Sequence, residues 1–494
     1  MNKTDINKIP LKLKTVFSAL FGLLVFLIPK ELDTDFYFLY KSGEYICNNG
    51  FPVKDFLSWH ENMDIIVQQW LFDVLLYKAY SVAGKAGLFI AEFVMCLAVS
   101  ALIYMLCKKV SNNFFVSFVA SFSASAVIAV EFIVTRPQCF TYLLLIAELL
   151  LLEQYVSSKK AAFLIGLPII SVILINMHAS MWPMMFVFLL PYFAQAIPVK
   201  TKRISQKPCC SFIFLAVAAA SSLVCGFINP YGLKSMLYLI TSYGSKELND
   251  GVTEMNPISA SSPVGLLFLG IMLGVLMLAV LGRRNKSELR FVLLCTGTAV
   301  LALSSVKAFP YFLISAAVFI TSTYKNFTIK VKVSTEKANR KTLVIRFVAG
   351  TVAILLICVL LFMQFGGKLS DEVPFEEEIN PAVSELKSVY KDDTILFNGF
   401  NSGAYLEYCG IPAFIDARAE VFLEKNNHEA DYYSDYYKVV KGDTYYKEFI
   451  DKYGFNCCFI SNASEAYLYN SLLHDSDFSA VYNDGNYSIF LKNS

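Results

Sequence analysis

Long apolar runs separated by short polar or basic segments fill the first three-quarters of the chain. A helix needs about 20 apolar residues to cross a hydrocarbon layer of roughly 30 Å. Runs near that size lie at 15–29, 86–107, 114–134, 139–156, 161–178, 181–197, 209–227, 263–281, 291–306, 309–323 and 345–364. The pattern predicts about eleven transmembrane helices. The least span-like are 181–197, which carries Pro183 and Pro191, and the short 309–323. The first run is followed by Pro29-Lys30-Glu31 rather than a small-x-small cleavage site, so it reads as a retained span. The segment 30–84 breaks the pattern with two amphipathic stretches. One places Phe36, Leu39, Tyr40, Gly43 and Cys47 on one helical face and stops at Asn48-Asn49-Gly50; the other covers about 64–82 and includes Trp70. Both are expected to lie on the membrane surface. Asp64, Asp73 and Lys78 argue against a span in the second.

Beyond Phe365 the period changes. Helices are predicted over 376–390, 402–409 and Tyr445–Tyr453. Strands are predicted over Thr394–Asn398, Ala413–Asp416 and Cys457–Ser461, with a hairpin over 478–491 turning at Asn483-Asp484-Gly485. The chain therefore divides into a membrane domain, 1–365, and a small α/β domain, 366–494, large enough for its own core.

Composition narrows the class. Of 494 residues, 56% are hydrophobic and 17% charged, against about 25% charged in soluble domains. That shortfall excludes a string of soluble domains, and the hydrophobicity excludes disorder. A net charge of +2 gives no reason to expect nucleic acid. Lys and Arg set the orientation. With the N-terminus inside, the inside segments hold 23 basic residues and the outside loops before residue 366 hold 9. An odd number of spans then places the tail, with the loop 30–84, on the extracytoplasmic side of the cell membrane. None of the twelve cysteines forms a CxxC pair, and no Walker loop or GxGxxG occurs. Zinc, thiol redox and a cytosolic nucleotide site are thus unsupported.

The unusual polar residues fall on that outer side. They are Asp33 and Asp35, Thr135-Arg136-Pro137-Gln138, Asn176-Met177-His178, Asn229-Pro230-Tyr231-Gly232, and Glu254 within Val252–Pro257. Each also has a plain structural reading. Asp33 caps a helix, Arg136 snorkels to headgroups, His178 is a neutral hydrogen-bonding group, Glu254 is a loop acid, and the Asn-Pro-Tyr-Gly segment is a turn. In the tail, Asn398 and Asp416-Ala417-Arg418 follow predicted strands, where residues often line a cleft. Asp416 and Arg418 read equally as a structural ion pair.

Glu31-Leu32-Asp33-Thr34-Asp35-Phe36, followed by Glu44 to Gly50, resembles the first outer loop of the oligosaccharyltransferase catalytic subunit, a member of the GT-C superfamily of polytopic glycosyltransferases. Val252-Thr253-Glu254 with Asn256-Pro257 looks like its second acidic motif. The whole chain resembles bacterial GT-C-like membrane proteins more closely. These share the acidic first loop, Arg-Pro-Gln, Asn-x-His, Asn-Pro-Tyr-Gly, and a tail like Phe397–Tyr405 and Phe414–Arg418. The resemblance implies transfer of a sugar from a polyprenyl-phosphate-linked donor to a glycan, lipid or protein acceptor at the bilayer surface. Asp33, Asp35 and Glu254 would be catalytic, with Asp33 and Glu254 holding Mg²⁺ or Mn²⁺. Arg136 and His178 would bind donor phosphate, and Asn398, Asp416 and Arg418 would line an acceptor cleft. Two departures stand: no acidic pair adjoins Arg136, and Asn398-Gly399-Phe400-Asn401-Ser402-Gly403 replaces the family's WWDYG motif. The rival classes are a flippase for lipid-linked glycans and a non-catalytic cell-envelope assembly protein.

Overall fold

A computed structural model describes residues 3–5, 20–29, 32–200, 205–206, 208–242, 251, 253–282, 285, 287–328, 330–332 and 374–493. The first part is a helical bundle. Its helices are α1 (Phe36–Asn49), α2 (Trp70–Ser111), α3 (Phe114–Glu131), α4 (Gln138–Ser158), α5 (Gly166–Met177), α6 (Met184–Ala196), α7 (Phe212–Cys225), α8 (Leu233–Ser242), α9 (Pro263–Leu281), α10 (Leu289–Ser304) and α11 (Phe309–Thr323). Short 3-10 turns over 161–165, 179–181 and 306–308 extend α5, α6 and α11 at their starts. Counting those turns, six helices are long and apolar enough to cross a membrane: α2, α3, α4, α6, α9 and α11. Three more, α5, α7 and α10, are apolar but shorter. Of the first predicted span, Leu20–Leu27 form a 3-10 helix. The predicted span 345–364 lies outside the described residues.

The two amphipathic stretches are both helical. The helix α1 ends at Gly50, whose φ of 82° suits glycine, as the Asn-Asn-Gly stop predicts. The second stretch and the following span are one continuous element, α2, broken only at Gly84 with φ 57° and ψ −154°. The helix α1 buries Phe36, Tyr37, Phe38 and Leu39 in protein. Cys47 does not belong to that buried face; it is exposed.

The tail holds α12 (Pro374–Val389), β1 (Leu396–Asn398), α13 (Phe400–Tyr408), α14 (Tyr432–Lys441), α15 (Tyr446–Tyr453), β2 (Cys457–Ser461), α16 (Ala466–Leu473), β3 (Phe478–Asn483) and β4 (Tyr487–Lys492). Its sheet runs β1-β2-β4-β3, parallel between β1 and β2 and antiparallel elsewhere. Gly485 sits in the hairpin turn with φ 94°. The predicted strand Ala413–Asp416 joins no sheet. The Asn398 side chain takes the partner strand's place, accepting from Phe414 N–H at 2.6 Å and donating to Ile415 O at 2.7 Å.

The tail does not close a core of its own. One apolar cluster joins Ile46, Met63, Ile65 and Val67 of the first loop to Phe397, Phe414 and Tyr433 of the tail. A second joins Leu32, Phe36 and Phe72 to Ile379, Tyr405 and Leu406. The apolar face of α1 is too large to leave in water, so it packs on α2 and α13.

Candidate functional site

The site assembles where three chain entries into helices meet. Asp33 and Asp35 form the turn into α1: Asp35 N–H donates to Asp33 Oδ1 at 2.9 Å. That turn leaves the second oxygen of Asp33 free to face inward, so the helix-start role and a site role coexist. Arg136 lies in the α3–α4 connection, where Pro137 fixes the entry into α4. Glu254 sits in a 3-10 turn, Thr253–Met255, before α9.

Their side chains converge. Arg136 Nε is 2.8 Å from Asp33 Oδ2 and 3.0 Å from Asp35 Oδ2. Its Nη1 donates to Glu254 Oε1 at 2.7 Å. Neither Nε contact has hydrogen-bond alignment, so these two are charge–charge contacts. Lys307, between α10 and α11, approaches Glu254 Oε2 at 4.0 Å. One guanidinium is thus shared among three carboxylates from sequence-remote segments. Burial, opposed by Arg136 and reinforced by the Asp33 and Glu254 charges, raises the Asp35 carboxyl to about 7. Burial also acts on Glu254, but the Arg136 and Lys307 charges outweigh it and hold this carboxyl below its ordinary value. One cluster therefore contains an acid that titrates near neutrality and one that stays ionised.

This cluster opens on a cavity of about 400 Å³ between the bundle and the tail. Asp35, Arg136, His178, Glu254 and Lys307 line it from the bundle; Asn401, Arg418 and Glu420 line it from the tail. Its charged wall residues balance: Asp35, Glu254 and Glu420 against Arg136, Lys307 and Arg418.

The remaining expected residues fall as follows. His178 is on the wall but 3% exposed, with its Nδ1 2.8 Å from Thr141 Oγ1, so it serves as a neutral hydrogen-bonding group. Asn398 is fully buried and spent on backbone groups, behind the wall rather than in it. Asp416 is also behind the wall, gripping Arg418 Nε through both oxygens at 3.0 and 2.9 Å. Arg418 itself reaches the cavity and donates to Asp55 of the first loop at 2.7 Å. Burial and the neighbouring Asp416 push the Glu407 carboxyl, also beside Arg418, well above its ordinary range. The ion-pair reading of Asp416 and Arg418 therefore holds, and the pair also docks the tail on the first loop.

A divalent cation does not fit the residues as they stand. Among the described residues no three His, Cys, Asp or Glu side chains are grouped to hold one. Between Asp33 and Glu254 stands the guanidinium of Arg136.

Wall residues that escape a reading of the sequence include Lys307, Gln68, Gln69, Tyr238 and Glu420. Glu420 accepts from Gln68 Nε2 at 3.2 Å and from the Tyr238 hydroxyl at 3.1 Å. Lys307 carried one signal, as a single cation between two apolar runs; the others look like ordinary loop or helix residues. No family profile matches the chain, and no curated protein matches it either.

Proposed function

We propose that the protein is a membrane glycosyltransferase that moves a sugar from a polyprenyl-phosphate-linked donor to an acceptor in the cavity beneath the tail. The observation that carries this reading is the convergence of Asp35, Arg136 and Glu254 in one shared cavity, with Asp33 behind them on the same guanidinium. In the proposed topology about eleven spans leave the N-terminus inside and the tail with its cavity on the extracytoplasmic face. The basic inner loops support that orientation, and a lipid-anchored donor is the activated sugar available there.

The chemistry needs a base and a cation. The acceptor hydroxyl attacks the anomeric carbon, and the C1–O bond to phosphate breaks. Asp35, poised near 7, takes the acceptor's proton. The leaving phosphate gathers negative charge as the bond breaks, and a fixed cation facing it stabilises the transition state. Lys307, only loosely paired, suits this task better than Arg136, which three carboxylates already engage. Arg136 is then a positioning residue that holds the acids, with Asp33 fixing both its own turn and the guanidinium. Asn401, Arg418 and Glu420 bring the tail to the acceptor side.

The test is transfer in proteoliposomes from a panel of polyprenyl-phosphate sugars. Wild-type protein releases polyprenyl phosphate. Asp35→Asn loses about 10²–10⁴-fold, and the wild-type rate falls as pH drops below about 7, where Asp35 is protonated. Release unaffected by Asp35→Asn removes the catalytic role. A second reading, a flippase, is favoured by the ionisable groups in a cavity at a membrane domain. Donor that changes leaflet without losing its sugar selects it.

A further inference from the structure

Two buried amides on the cavity wall take no part in the chemistry above. Gln69 directly precedes α2 and Gln138 is the first residue of α4; they are 7% and 9% exposed. Both line the cavity. Among the described residues, neither Oε1 has a hydrogen-bond partner. A buried carbonyl oxygen left unpaired costs about 1–3 kcal/mol. Native proteins keep few such groups, and two in one cavity wall call for a ligand that donates hydrogen bonds.

The same wall offers donors. The first turns of α1, α4 and α13, and Gln69 just before α2, contribute residues to the cavity. None of their N-cap residues, Asp35, Gln69, Pro137 and Gly399, closes its helix with a side-chain hydrogen bond. Helix N-termini present N–H groups and the positive end of the dipole to an anion, and Lys307 adds a full charge beside them. Inorganic phosphate uses the donors and brings few hydroxyls of its own to the amide oxygens. A hydrocarbon uses neither. A molecule carrying several hydroxyls next to a phosphate satisfies both sets. Each Oε1 is closed off from solvent, so a hydroxyl reaches it when the amide turns about its last side-chain torsion, which has a broad energy profile.

We infer that Gln69 and Gln138 read the hydroxyl groups of a sugar held beside a phosphate, and so set which sugar the cavity accepts. This rests on the cavity being the transfer site proposed above and names the headgroup chemistry of that site. Hydroxyls reach the amides from the donor's sugar or from an acceptor's; the shared chemistry is a polyol.

The experiment titrates full-length protein in detergent with glucose, galactose and mannose 1-phosphates, with the matching methyl glycosides, and with inorganic phosphate. Wild type is compared with Gln69→Leu and Gln138→Leu. Leucine keeps the volume and removes the unpaired carbonyl, so the ligand-free variants melt at or above wild type. At least one sugar phosphate binds about tenfold more weakly to each variant, while inorganic phosphate binds all three proteins alike. A loss confined to sugar phosphates assigns the hydroxyls to the donor; an equal loss with methyl glycosides assigns them to the acceptor. The inference is overturned if every sugar binds variants and wild type equally, or if no sugar probe outbinds inorganic phosphate on wild type. It is overturned equally if the variants melt lower and lose phosphate and sugar in step, since the amides are then structural. The glycosyltransferase reading fails separately: sugar discrimination without transfer leaves the polyol site standing and removes the enzyme, whereas transfer with indifferent amides does the reverse.

Discussion

Arg136 is the residue on which the site's geometry depends. Its side chain is 18% exposed and faces Asp33, Asp35 and Glu254. Removing one partner of a buried charge cluster leaves the others uncompensated. Arg136→Ala is therefore expected to cost about 3 kcal/mol at pH 8, and thermal melts at pH 8 and pH 5 check the cause. Without the arginine, three carboxylates repel, their proton affinity rises in the folded state, and acid relieves them. The deficit against wild type thus shrinks as pH falls; an equal deficit at both values shows that packing, not charge, is lost. Asp35 has the opposite sign. Its folded pKa, about 7, lies above the ordinary 3.8, so wild-type stability falls as pH rises through that window. Asp35→Asn removes that fall and melts at or above wild type at pH 8. These charged residues were legible in the sequence because they fall in short polar segments between apolar runs. Gln69 was not: whether an amide oxygen goes unpaired depends on which remote segments pack around it. His178 was legible as a neutral hydrogen-bonding group, but its partner, the Thr141 hydroxyl on a remote segment, was not.

At the scale of elements, the site depends on how closely α1 lies on α2. A Cβ on Gly43 would stand 2.1 Å from the Asp73 carbonyl oxygen and 2.8 Å from Tyr77 Cβ. The nearest obstacle is helix backbone, which cannot step aside, so Gly43→Ala pushes α1 outward. Because α1 begins at the Asp33–Asp35 turn, the acids move with it. The substitution is expected to destabilise by about 1–3 kcal/mol and to reduce transfer, although Gly43 is not on the cavity wall. Gly274→Ala on α9, where a Cβ meets nothing within 4 Å, serves as the control. It is expected to hold or gain about 0.5–1 kcal/mol, as alanine does in helices. Equal melting temperatures for the two variants refute the close-contact argument. The Asn-Asn-Gly stop, β2 and the final hairpin were readable, because local chemistry sets them, whereas the tail helices Tyr432–Lys441 and Ala466–Leu473 were not. The strand expected over Ala413–Asp416 joins no sheet: the Asn398 side chain bonds Phe414 N–H and Ile415 O, and the first loop bonds Ala413 O and Phe414 O. No local pattern announces those bonds. Joining the surface stretch to the next span through Gly84 is similar: the glycine was visible, the continuity of α2 across it was not.

At the scale of the whole molecule, the tail's apolar clusters include residues of the first loop, and this bears on what the tail does. Trp59 of the first loop donates its indole N–H to Leu396 O at 2.9 Å, and the adjacent His60 Nε2 is 2.7 Å from Phe414 O. Asp55 meets Arg418, while Ile65 and Val67 enter the tail's apolar cluster. Residues 374–493 on their own would expose the apolar surface that these groups cover, and contiguous patches of that kind promote association. A fragment of residues 374–494 is therefore expected to lack a cooperative near-UV melting transition, and to gain one when residues 32–83 are supplied on the same chain. A sharp two-state melt of the tail alone shows that the first loop contributes nothing to its fold. The outcome bears on function because the cavity has walls from both parts: Asp35, Arg136 and Lys307 on one side, Asn401, Arg418 and Glu420 on the other. If docking and folding are one event, the cavity cannot persist with the tail detached. A lesion in the docking pair is then expected to act at a distance. Arg418→Met, which strands Asp55 and Asp416 without their cation, should lower the tail's melting transition and transfer together. Loss of transfer with the transition unmoved would instead place Arg418 among the groups that touch substrate.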